Sequence, residues 1–307
     1  MSKVVVTGGA GFIGSHINKV LLDQGHQVRV IDNLSTGFRE NIDPRAEFIQ
    51  MDLASQEELT KSLSGFDAVI HLANSIIVPE SVAKPVEYAE NNVVNSVRLL
   101  EAMKNAGVKK IIFSSSATVY GDSGKLPLTE DSPLGVQTNQ YGASKVAMEA
   151  FIGVYHKLYN FDTIILRYFN PFGPNEKHEP ETHAIPNFIS ATLKKTEIPL
   201  YWKGEQVRDF IYVEDLAEAH TAVLNLSGMQ IFNVGTETGT KVIDAVHEIF
   251  KICGYEVTIK DLGERAGDAA ATYASSQKLN SVTGWKAKHS LRSGLVKTIE
   301  YFKKYHE

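Results

Sequence analysis

The feature that most constrains this chain of 307 residues is its beginning, where an apolar run leads directly into a cluster of glycines. The run covers positions 3–6, and glycines follow at positions 8, 9, 11 and 14. The early glycines permit a tight turn with positive φ, Gly11 lets a pyrophosphate approach the backbone, and Gly14 lets a helix pack against the strand. The amides and the positive dipole end of that helix favour phosphate. The order strand, glycine turn, helix therefore predicts a phosphate-binding turn in an α/β fold.

An acidic residue stands at the distance that a dinucleotide-binding turn requires. Asp32 ends the next apolar run, roughly 20 residues beyond the glycines. A carboxylate at this position accepts hydrogen bonds from the ribose hydroxyls of adenosine and repels a 2′-phosphate, and the next residue is Asn33 rather than arginine. The pattern predicts NAD, rather than NADP, as the cofactor. A glycine turn in an α/β protein that binds no dinucleotide is the alternative.

The first half of the chain alternates between apolar runs and helical patterns. The runs show little polar alternation, which is typical of strands buried on both faces of a parallel sheet. We predict strands at 3–6, 28–31, 47–51, 68–72, 110–114 and 163–167. We predict helices at 14–24, 56–63, 86–106 and 140–159. Repeated strand–helix–strand units indicate right-handed crossovers, and hence an α/β architecture with a Rossmann-type doubly wound parallel sheet.

The pattern changes after Arg167, where four prolines between positions 170 and 186 predict a loop. Shorter helices are then expected at 187–195, 215–226, 241–253 and 291–305, and shorter strands at 199–202, 209–213, 231–234 and 257–260. We predict an NAD-binding domain over 1–168 with a returning segment at about 205–235. A smaller C-terminal substrate-binding domain would cover 169–204 and 236–307.

Composition excludes several classes of protein. The 43% of hydrophobic and 22% of charged residues are typical of a globular chain and exclude a disordered one. The net charge of −5, without a basic block, argues against binding to nucleic acid or to an anionic membrane. No apolar run is long enough to span a bilayer, and the strand that begins at Lys3 leaves no room for a signal peptide. Because Cys253 is the only cysteine, no disulfide can form within the chain, and we expect a cytoplasmic protein.

Tyr141 and Lys145 place a phenol and an ammonium four residues apart, on one face of a predicted helix. A free tyrosine has a pKa of about 10, and lowering it to about 7 requires roughly 4 kcal/mol of extra stabilisation of the phenolate. One positive charge at about 4 Å supplies roughly that amount in a partly screened site. Lys145 together with an oxidised nicotinamide ring would therefore make Tyr141 a base. The alternatives are an ordinary half-buried tyrosine and a solvated lysine.

Two further polar clusters have competing interpretations. The serines at 114–116 follow a predicted strand, where a hydroxyl would bind a substrate oxygen, although turn chemistry alone also favours serine there. His178 and His183 resemble metal ligands, but Pro180 between them forbids the helix that a zinc-binding motif needs. We predict a solvated loop at this point and no metal.

Together these stretches resemble the extended short-chain dehydrogenase/reductase family, and within it the branch of UDP-glucose 4-epimerases. The resemblance covers nearly the whole chain. The matching segments are 7–14, 32–33, 52–53, 71–73, 92, 114–121, 141–145, 167–171, 208–210 and 265–268. Their order and spacing are specific for the family and less specific for the substrate. Asn74 departs from the family's pattern, which usually has Ala or Gly at this position.

The resemblance implies a role for each matching residue. The implied NAD contacts are Gly8, Gly11, Phe12, Ile13, Asp32, Asn33, Ser35, Asp52, Leu53, Leu72, Ala73, Asn92, Ser114, Tyr141, Lys145 and Tyr168. Tyr141 is implied as the base, Lys145 as its electrostatic partner, and Ser116 as the hydroxyl that positions the sugar. The implied substrate contacts are Ser116, Tyr141, Asn170, Arg208, Arg265 and Asp268. Two guanidiniums suit a diphosphate, since each can donate two hydrogen bonds.

The reaction that the resemblance implies is NAD-dependent 4-epimerisation of a UDP-hexose through a transient 4-keto sugar. Ala117 and Thr118 stand where related dehydratases carry an Asp-Glu pair and decarboxylases a Glu, which favours simple removal and return of hydride. Thr272 stands where some epimerases place a tyrosine, so UDP-GlcNAc is a candidate substrate beside UDP-glucose and UDP-galactose. UDP-glucuronate 4-epimerisation, net oxidation or reduction of a nucleotide sugar, and a non-catalytic NAD sensor remain alternatives.

A homodimer is expected by analogy with the family, which pairs two helices across a dimer axis. The two corresponding predicted helices carry more apolar residues than packing on a sheet requires. The residues of this stripe are Val93, Val97, Leu100 and Met103 on one helix and Ala147, Ala150, Phe151 and Val154 on the other.

Overall fold

A computed structural model describes residues 1–122, 125–177, 183–264 and 269–306 of the chain. The strands in this part are β1 (Lys3–Thr7), β2 (Gln27–Asp32), β3 (Glu47–Gln50), β4 (Ala68–His71), β5 (Lys110–Ser116), β6 (Asp162–Tyr168), β7 (Asn170–Phe172), β8 (Ile198–Leu200), β9 (Val207–Arg208), β10 (Phe210–Tyr212), β11 (Met229–Val234), β12 (Thr240–Lys241), β13 (Ile259–Asp261) and β14 (Ala271–Thr272). The helices are α1 (Phe12–Asp23), α2 (Gln56–Leu63), α3 (Val78–Ala83), α4 (Pro85–Ala89), α5 (Asn95–Ala106), α6 (Gln140–Tyr159), α7 (Ala184–Leu193), α8 (Val213–Val223), α9 (Val242–Cys253), α10 (Gln277–Thr283) and α11 (Leu291–His306).

A seven-stranded sheet runs in the order β11-β6-β5-β4-β1-β2-β3. From β1 the chain proceeds outward through β2 to β3, and then continues on the other side of β1 with β4, β5 and β6. The pairs β1–β2, β1–β4, β2–β3 and β4–β5 are parallel. The chain therefore reverses its direction of progress between β1 and β4, which makes the carboxyl ends of these strands the expected place for a ligand. The predicted Rossmann-type doubly wound sheet is confirmed.

The core explains why the strands lack polar alternation. Val4, Val5 and Val6 in the middle of β1 have no exposed surface, as expected for a strand that is covered on both faces. On one face, β1 packs with α2, α5 and α6 through residues that include Leu59, Leu99 and Ile152. The same cluster contains Leu100 and Met103, with Val93 and Val97 packed against it. Leu100 and Met103 of the predicted dimer stripe are therefore core residues and not part of a surface, whereas Val93 and Val97 are only partly buried.

Several predicted boundaries differ from the structure. The predicted helix 86–106 is interrupted by a π-helical turn, Glu90–Val94, between α4 and α5. The predicted loop 170–186 contains β7, which exists because it pairs in parallel with β10, about forty residues later in the chain. Lys203 has φ +51 within the 3₁₀ turn Trp202–Gly204, which follows β8 directly. Pairing between distant segments decides β7, so the local pattern did not predict this strand.

The chain divides into two compact units. The first comprises Met1–Gly121, Leu134–Arg167 and Ala217–Phe232, and it contains most of the seven-stranded sheet. The second comprises Asp122–Pro133, Tyr168–Leu216 and Asn233–Glu307, with small sheets β10-β7, β12-β9-β14 and β13-β8. None of the helices in the described part of the chain has both the length and the apolar run that a bilayer span needs.

Candidate active site

The glycine turn after β1 has the geometry that its sequence predicts. Gly8 has φ +73, and a Cβ there would lie 2.7 Å from the nitrogen of Ala73, so no other residue fits without strain. A Cβ on Gly14 would lie 2.4 Å from the carbonyl oxygen of Gly8, because α1 packs directly on the turn. The N-cap residue, Gly11, supplies no side-chain cap, and the first turn of α1 carries no acid. The amides of Phe12 and Ile13 in that turn have no intrahelical acceptor, which suits a phosphate group.

Asp32 lies at the carboxyl end of β2, beside this turn. Its carboxylate accepts hydrogen bonds from the nitrogen of Ala10 at 3.0 Å and from the nitrogen of Leu34 at 2.8 Å. Burial raises the pKa of Asp32, and the two backbone hydrogen bonds act against that increase. A carboxylate can accept about four hydrogen bonds, so acceptor capacity remains for hydroxyl groups. The glycine turn therefore helps to hold Asp32 where it would accept hydrogen bonds from the adenosine ribose.

The other predicted NAD residues of the first unit follow the carboxyl ends of neighbouring strands. Asn33 donates to the Asp52 carboxylate at 2.9 Å and accepts from the nitrogen of Ser35 at 2.9 Å. Leu53 is buried in the core, whereas Leu72 and Ala73 lie against Gly8. Because parallel strands present their carboxyl ends at one edge of the sheet, these residues lie along the same edge. The donors and acceptors there fit the pyrophosphate and riboses of NAD.

Asn92 lies in the π-helical turn and is almost fully buried. Its side-chain oxygen accepts from the nitrogen of Ser75 at 2.7 Å. Its amide nitrogen donates to the oxygen of Ser75 at 2.8 Å and to the Ser144 hydroxyl at 3.1 Å. Asn92 therefore ties the segment after β4 to α6. Tyr168, another predicted NAD contact, is buried at the end of β6.

Tyr141 lies half-buried in the first turn of α6. Burial raises its pKa, and a hydrogen bond with Ser116 acts in the opposite direction without overcoming burial. Lys145 Nζ lies 5.7 Å from the centre of the Tyr141 ring. In the protein's own environment the phenol therefore keeps its proton at neutral pH. The lysine alone does not lower this pKa, because the same burial that surrounds the phenol also disfavours the lysine's charge.

Lys145 is buried, so the alternative of a solvated helix face is wrong. Only 2% of the residue is exposed, and burial lowers its pKa to about 7, with Glu149 acting in the opposite direction. Its ammonium donates to the carbonyl oxygen of Ser114 and to the side-chain oxygen of Asn74, both at 2.6 Å. Ser114 thus uses its backbone at the site, whereas Ser116 uses its hydroxyl, which also accepts from the nitrogen of Thr118 at 3.2 Å.

A buried ion pair lies next to this group and was not predicted from the sequence. Arg167 donates to both carboxylate oxygens of Glu149, at 3.0 and 2.7 Å, and to the Tyr120 hydroxyl at 2.9 Å. The Ser115 hydroxyl donates to Glu149 at 2.5 Å. The pair joins β5, β6 and α6 behind the site. An arginine at the end of an otherwise apolar strand is the signal that pointed to it.

In the second unit Arg208 and Thr272 lie on the paired strands β9 and β14, whereas Asn170 lies on β7, in the separate two-stranded sheet with β10. Thr272 pairs with Arg208, and the exposed Asn170 bonds through its nitrogen to the oxygen of Asp209 at 2.9 Å. The buried Asp209 carboxylate accepts from Thr236 Oγ1 at 2.6 Å and from the nitrogen of Ala274 at 3.1 Å. Asp209, whose role was not predicted, therefore anchors the strand that carries Arg208.

Three predicted positions lie outside the described residues. They are Arg265, Asp268 and His178. His183, which we predicted to lie in a solvated loop, places its Nδ1 3.0 Å from the carboxylate of the buried Glu176. Within the described ranges, no group of His, Cys, Asp and Glu side chains is arranged to hold a metal ion.

Comparison with known proteins gives the family. The profile of the NAD dependent epimerase/dehydratase family matches residues 4–235. The chain belongs to this family. A curated UDP-glucose 4-epimerase of Lactobacillus helveticus is 38% identical and is covered over 98% of its length by 99% of this chain. This family member is also similar to two solved structures. A UDP-glucose 4-epimerase of Thermotoga maritima, solved with UDP-glucose, has a TM-score of 0.94 and 34% identity, covering 99% of this chain and 100% of that one. A UDP-N-acetylglucosamine 4-epimerase of Methanobrevibacter ruminantium has a TM-score of 0.93 and 36% identity, covering 99% of both chains.

The buried Lys145 predicts how the stability of this epimerase-family protein depends on pH. Between pH 7 and 10.5 Lys145 binds a proton more strongly in the unfolded chain than in the folded one, so its contribution to the free energy of unfolding rises with pH. Lys145→Met should remove up to about 1.4 kcal/mol of this rise per pH unit. Denaturant unfolding across this range, without added nucleotide, measures the slope. Lys157→Met, at an exposed position of the same helix, is the control and should leave the slope intact.

Proposed function

We propose that this protein is a UDP-glucose 4-epimerase that interconverts UDP-glucose and UDP-galactose with NAD. The observation that carries the proposal is the convergence of Ser116, Tyr141 and Lys145 within the same unit as the glycine turn. The full-length similarity to epimerases of known activity supports the same reaction. Folds of this kind host many activities, so the function rests on the site and not on the sheet.

Each catalytic group has a defined task in this reaction. Tyr141 accepts the proton of the sugar 4-hydroxyl at its phenolic oxygen, and Ser116 orients the same hydroxyl through the hydrogen bond that the two side chains share. NAD bound at the turn would supply a hydride acceptor that later returns the hydride to the opposite face of the sugar. Burial keeps the Tyr141 proton in place in the protein alone, so a positive charge brought next to the phenol is what releases it. Lys145 adds its own positive charge, 5.7 Å from the centre of the Tyr141 ring.

The 4-keto sugar is reduced again in this reaction and is neither dehydrated nor decarboxylated. Ala117 and Thr118 form the 3₁₀ turn after Ser116, and neither side chain can donate or accept a proton as a carboxyl group does. Removal and return of one hydride, with Tyr141 returning the proton, leaves the cofactor unchanged over a cycle. A net oxidoreductase would instead accumulate reduced cofactor, and a sensor would need no base at position 141.

NMR spectroscopy of the purified protein with UDP-galactose and no added NAD tests this function. We expect UDP-glucose to appear, because bound cofactor is regenerated in every cycle, and no NADH to accumulate. Tyr141→Phe should slow the reaction by about 10²- to 10⁴-fold, the usual contribution of a general base. Tyr159→Phe, at the exposed end of the same helix, should retain activity. Steady NADH formation would contradict epimerisation and favour the net oxidoreductase.

We further propose that the two units divide the substrates between them. From the sequence we expect an NAD-binding domain over 1–168 with about 205–235, and a substrate domain over 169–204 and 236–307. The glycine turn in the first unit supports the NAD-binding domain, whereas Arg208 lies in the second unit, so the part of the returning segment that carries it belongs with the substrate side. Arg208 and Asn170 would hold the UDP group. Arg265 and Asp268 are proposed to join them on the basis of sequence alone.

We also propose that the enzyme accepts UDP-GlcNAc. Thr272 lies opposite Arg208 in the pairing of β14 with β9, and its side chain is short at the position where a tyrosine would narrow the sugar site. The similarity to the M. ruminantium enzyme supports this substrate. Thr272→Tyr should lower kcat/KM for UDP-GlcNAc by about 10-fold or more relative to UDP-glucose, measured by coupled assay. Turnover of UDP-glucose by the unmodified enzyme, with none of UDP-GlcNAc at equal concentration, would refute the proposal.

A homodimer is proposed from exposed apolar residues on packed helices. Val86 in α4 is 69% exposed, and α4 packs on α6, where Phe151, Val154 and Leu158 are also exposed. The last three lie three and four residues apart, on one helix face. A second copy of the chain would cover this face, giving a mass of twice 33.9 kDa by light scattering. Val154→Asp should reduce the mass to that of one chain, and an unmodified protein that is already monomeric would exclude the dimer.

The cysteine content and the net charge bear on the cellular location and the ligands of the protein. We propose a cytoplasmic enzyme, supported by the single cysteine, which allows no disulfide within the chain. The acidic net charge of −5 supports small-molecule substrates rather than nucleic acid as ligands. Cell fractionation followed by immunodetection checks the location.

A further inference from the structure

A line of buried and partly buried polar groups connects Lys145 with the strand that leads into the glycine turn. Asn74 accepts a hydrogen bond from Lys145 Nζ at 2.6 Å through Oδ1. Its amide nitrogen donates to the oxygen of Ala73 at 2.9 Å and approaches the Ser96 hydroxyl at 3.4 Å. Ser96 in turn contacts His71 Nε2 at 2.8 Å. The line ends at Thr7, whose hydroxyl lies 2.8 Å from His71 Nδ1, at the end of β1.

The hydrogen bond that Ser96 donates determines the direction of the others. Ser96 donates its only hydroxyl hydrogen to the backbone oxygen of Asn92 at 2.8 Å, so it must accept from His71 Nε2. His71 therefore carries its hydrogen on Nε2 and accepts at Nδ1 from the hydroxyl of Thr7. Burial lowers the pKa of His71 to about 3, with repulsion from Lys145 acting in the same direction, so the ring is neutral.

The orientation of the Asn74 amide is fixed on both sides. Lys145 has only donors, so the oxygen of Asn74 must face the ammonium and its nitrogen must face Ala73 and Ser96. A flipped amide would place donors against the ammonium and lose the hydrogen bond to the oxygen of Ala73. Among the described residues the ammonium has two acceptors, the Asn74 side chain and the carbonyl of Ser114. Of these, only Asn74 can be removed by substitution.

We propose that Asn74 is a positioning residue for Lys145, whose side-chain oxygen holds the ammonium in place beside Tyr141 for the epimerase reaction. This inference rests on the function proposed above. The hydrogen bond stabilises the charged form of Lys145 in a site where burial disfavours it. Asn74 contacts neither Tyr141 nor Ser116 in a direct hydrogen bond, so it acts through the lysine. Its contacts with Ala73 and Ser96 make the position of the ammonium depend on the segment that also packs on Gly8.

Few charged groups in the described part of the chain face Lys145. Glu149, one turn along α6, favours the ammonium, and it is itself paired with Arg167. His71 on β4 is neutral, and Tyr141 presents its ring at 5.7 Å. Phe113 on β5 presents its ring at 4.9 Å from Nζ. Loss of the Asn74 oxygen leaves the ammonium with one neutral acceptor, and the pKa of Lys145 must fall.

The experiment follows the Lys145 titration and the reaction in parallel. Protein labelled with ¹³C-lysine gives a signal for Lys145, identified by its loss in Lys145→Met, whose pH dependence reports the pKa. Asn74→Ala should lower this pKa by about one unit, the usual effect of one hydrogen bond to a charged group. Asn74→Asp should raise it, because a carboxylate favours the ammonium. Lowering the pKa of Lys145 by one unit reduces its protonated fraction at pH 8 about tenfold, so kcat of Asn74→Ala should fall by about the same factor at this pH. KM should change less than about twofold.

The control is Asn91→Ala, in the same polar cluster. Asn91 donates to the Ser75 hydroxyl at 3.0 Å and has no hydrogen bond to Lys145. It should leave both the pKa of Lys145 and kcat unchanged. Equal effects of Asn74→Ala and Asn91→Ala on the Lys145 pKa would overturn the proposal, and opposite shifts in Asn74→Ala and Asn74→Asp would support it. If Asn74→Ala does not fold, an unchanged or lowered pKa in Asn74→Asp overturns it.

Failure of the proposed function is distinguishable from failure of this inference. The Lys145 titration does not depend on turnover, so shifted pKa values in a protein that never converts UDP-galactose would refute the epimerase and support the contact with Asn74. Conversion of UDP-galactose with no shift in any Asn74 variant would support the epimerase and refute the role of Asn74.

Discussion

The site depends on a positive charge that is held out of water. Lys145 is buried, and the loss of hydration disfavours its ammonium strongly enough to bring its pKa to about 7. The charge is tolerated because two oxygens accept its hydrogen bonds, and both come from other segments, the end of β5 and the loop after β4. The ammonium has these acceptors only once β4, β5 and α6 have packed together. The environment of Lys145 is therefore a product of the fold and not of the helix that carries it.

Two groups of buried polar side chains form a layer around the lysine. Asn92 ties the loop after β4 to α6, and the pair of Glu149 and Arg167 ties α6 to β6. Each of these groups finds hydrogen-bond partners, which is the condition for burying polar atoms without a large loss of stability. Because the layer fixes the side chains before a ligand binds, little reorganisation remains for the reaction itself. The π-helical turn that carries Asn92 is an irregularity of the kind that often marks functional sites.

The fold class and the edge of the sheet that carries the site could be predicted from the chain. Apolar runs without alternation indicated buried parallel strands, and the positions of Gly8, Gly14 and Asp32 indicated where a dinucleotide would bind. Other features could not be predicted. β7 forms from Asn-Pro-Phe only because β10 pairs with it, and Leu100 and Met103 belong to the core and not to a dimer surface. Asn74 was noted only as a departure from the family's pattern, and its contact with Lys145 needs the three-dimensional structure.

The sequence by itself determined the periodicity, the turn and the order of the chemical groups, because these depend on residues close together in the chain. Glycines at fixed spacing and a phenol four residues from an ammonium are local facts. The tertiary structure decided that Lys145 is buried away from water, and that the oxygens of Asn74 and Ser114 accept its hydrogen bonds in place of water. Burial and hydrogen bonding between distant segments change a pKa by several units, whereas spacing along a helix changes only which side chains are neighbours. For this reason Tyr141 and Lys145 could be proposed as reacting residues from the sequence, but their burial and its effect on their pKa values could not.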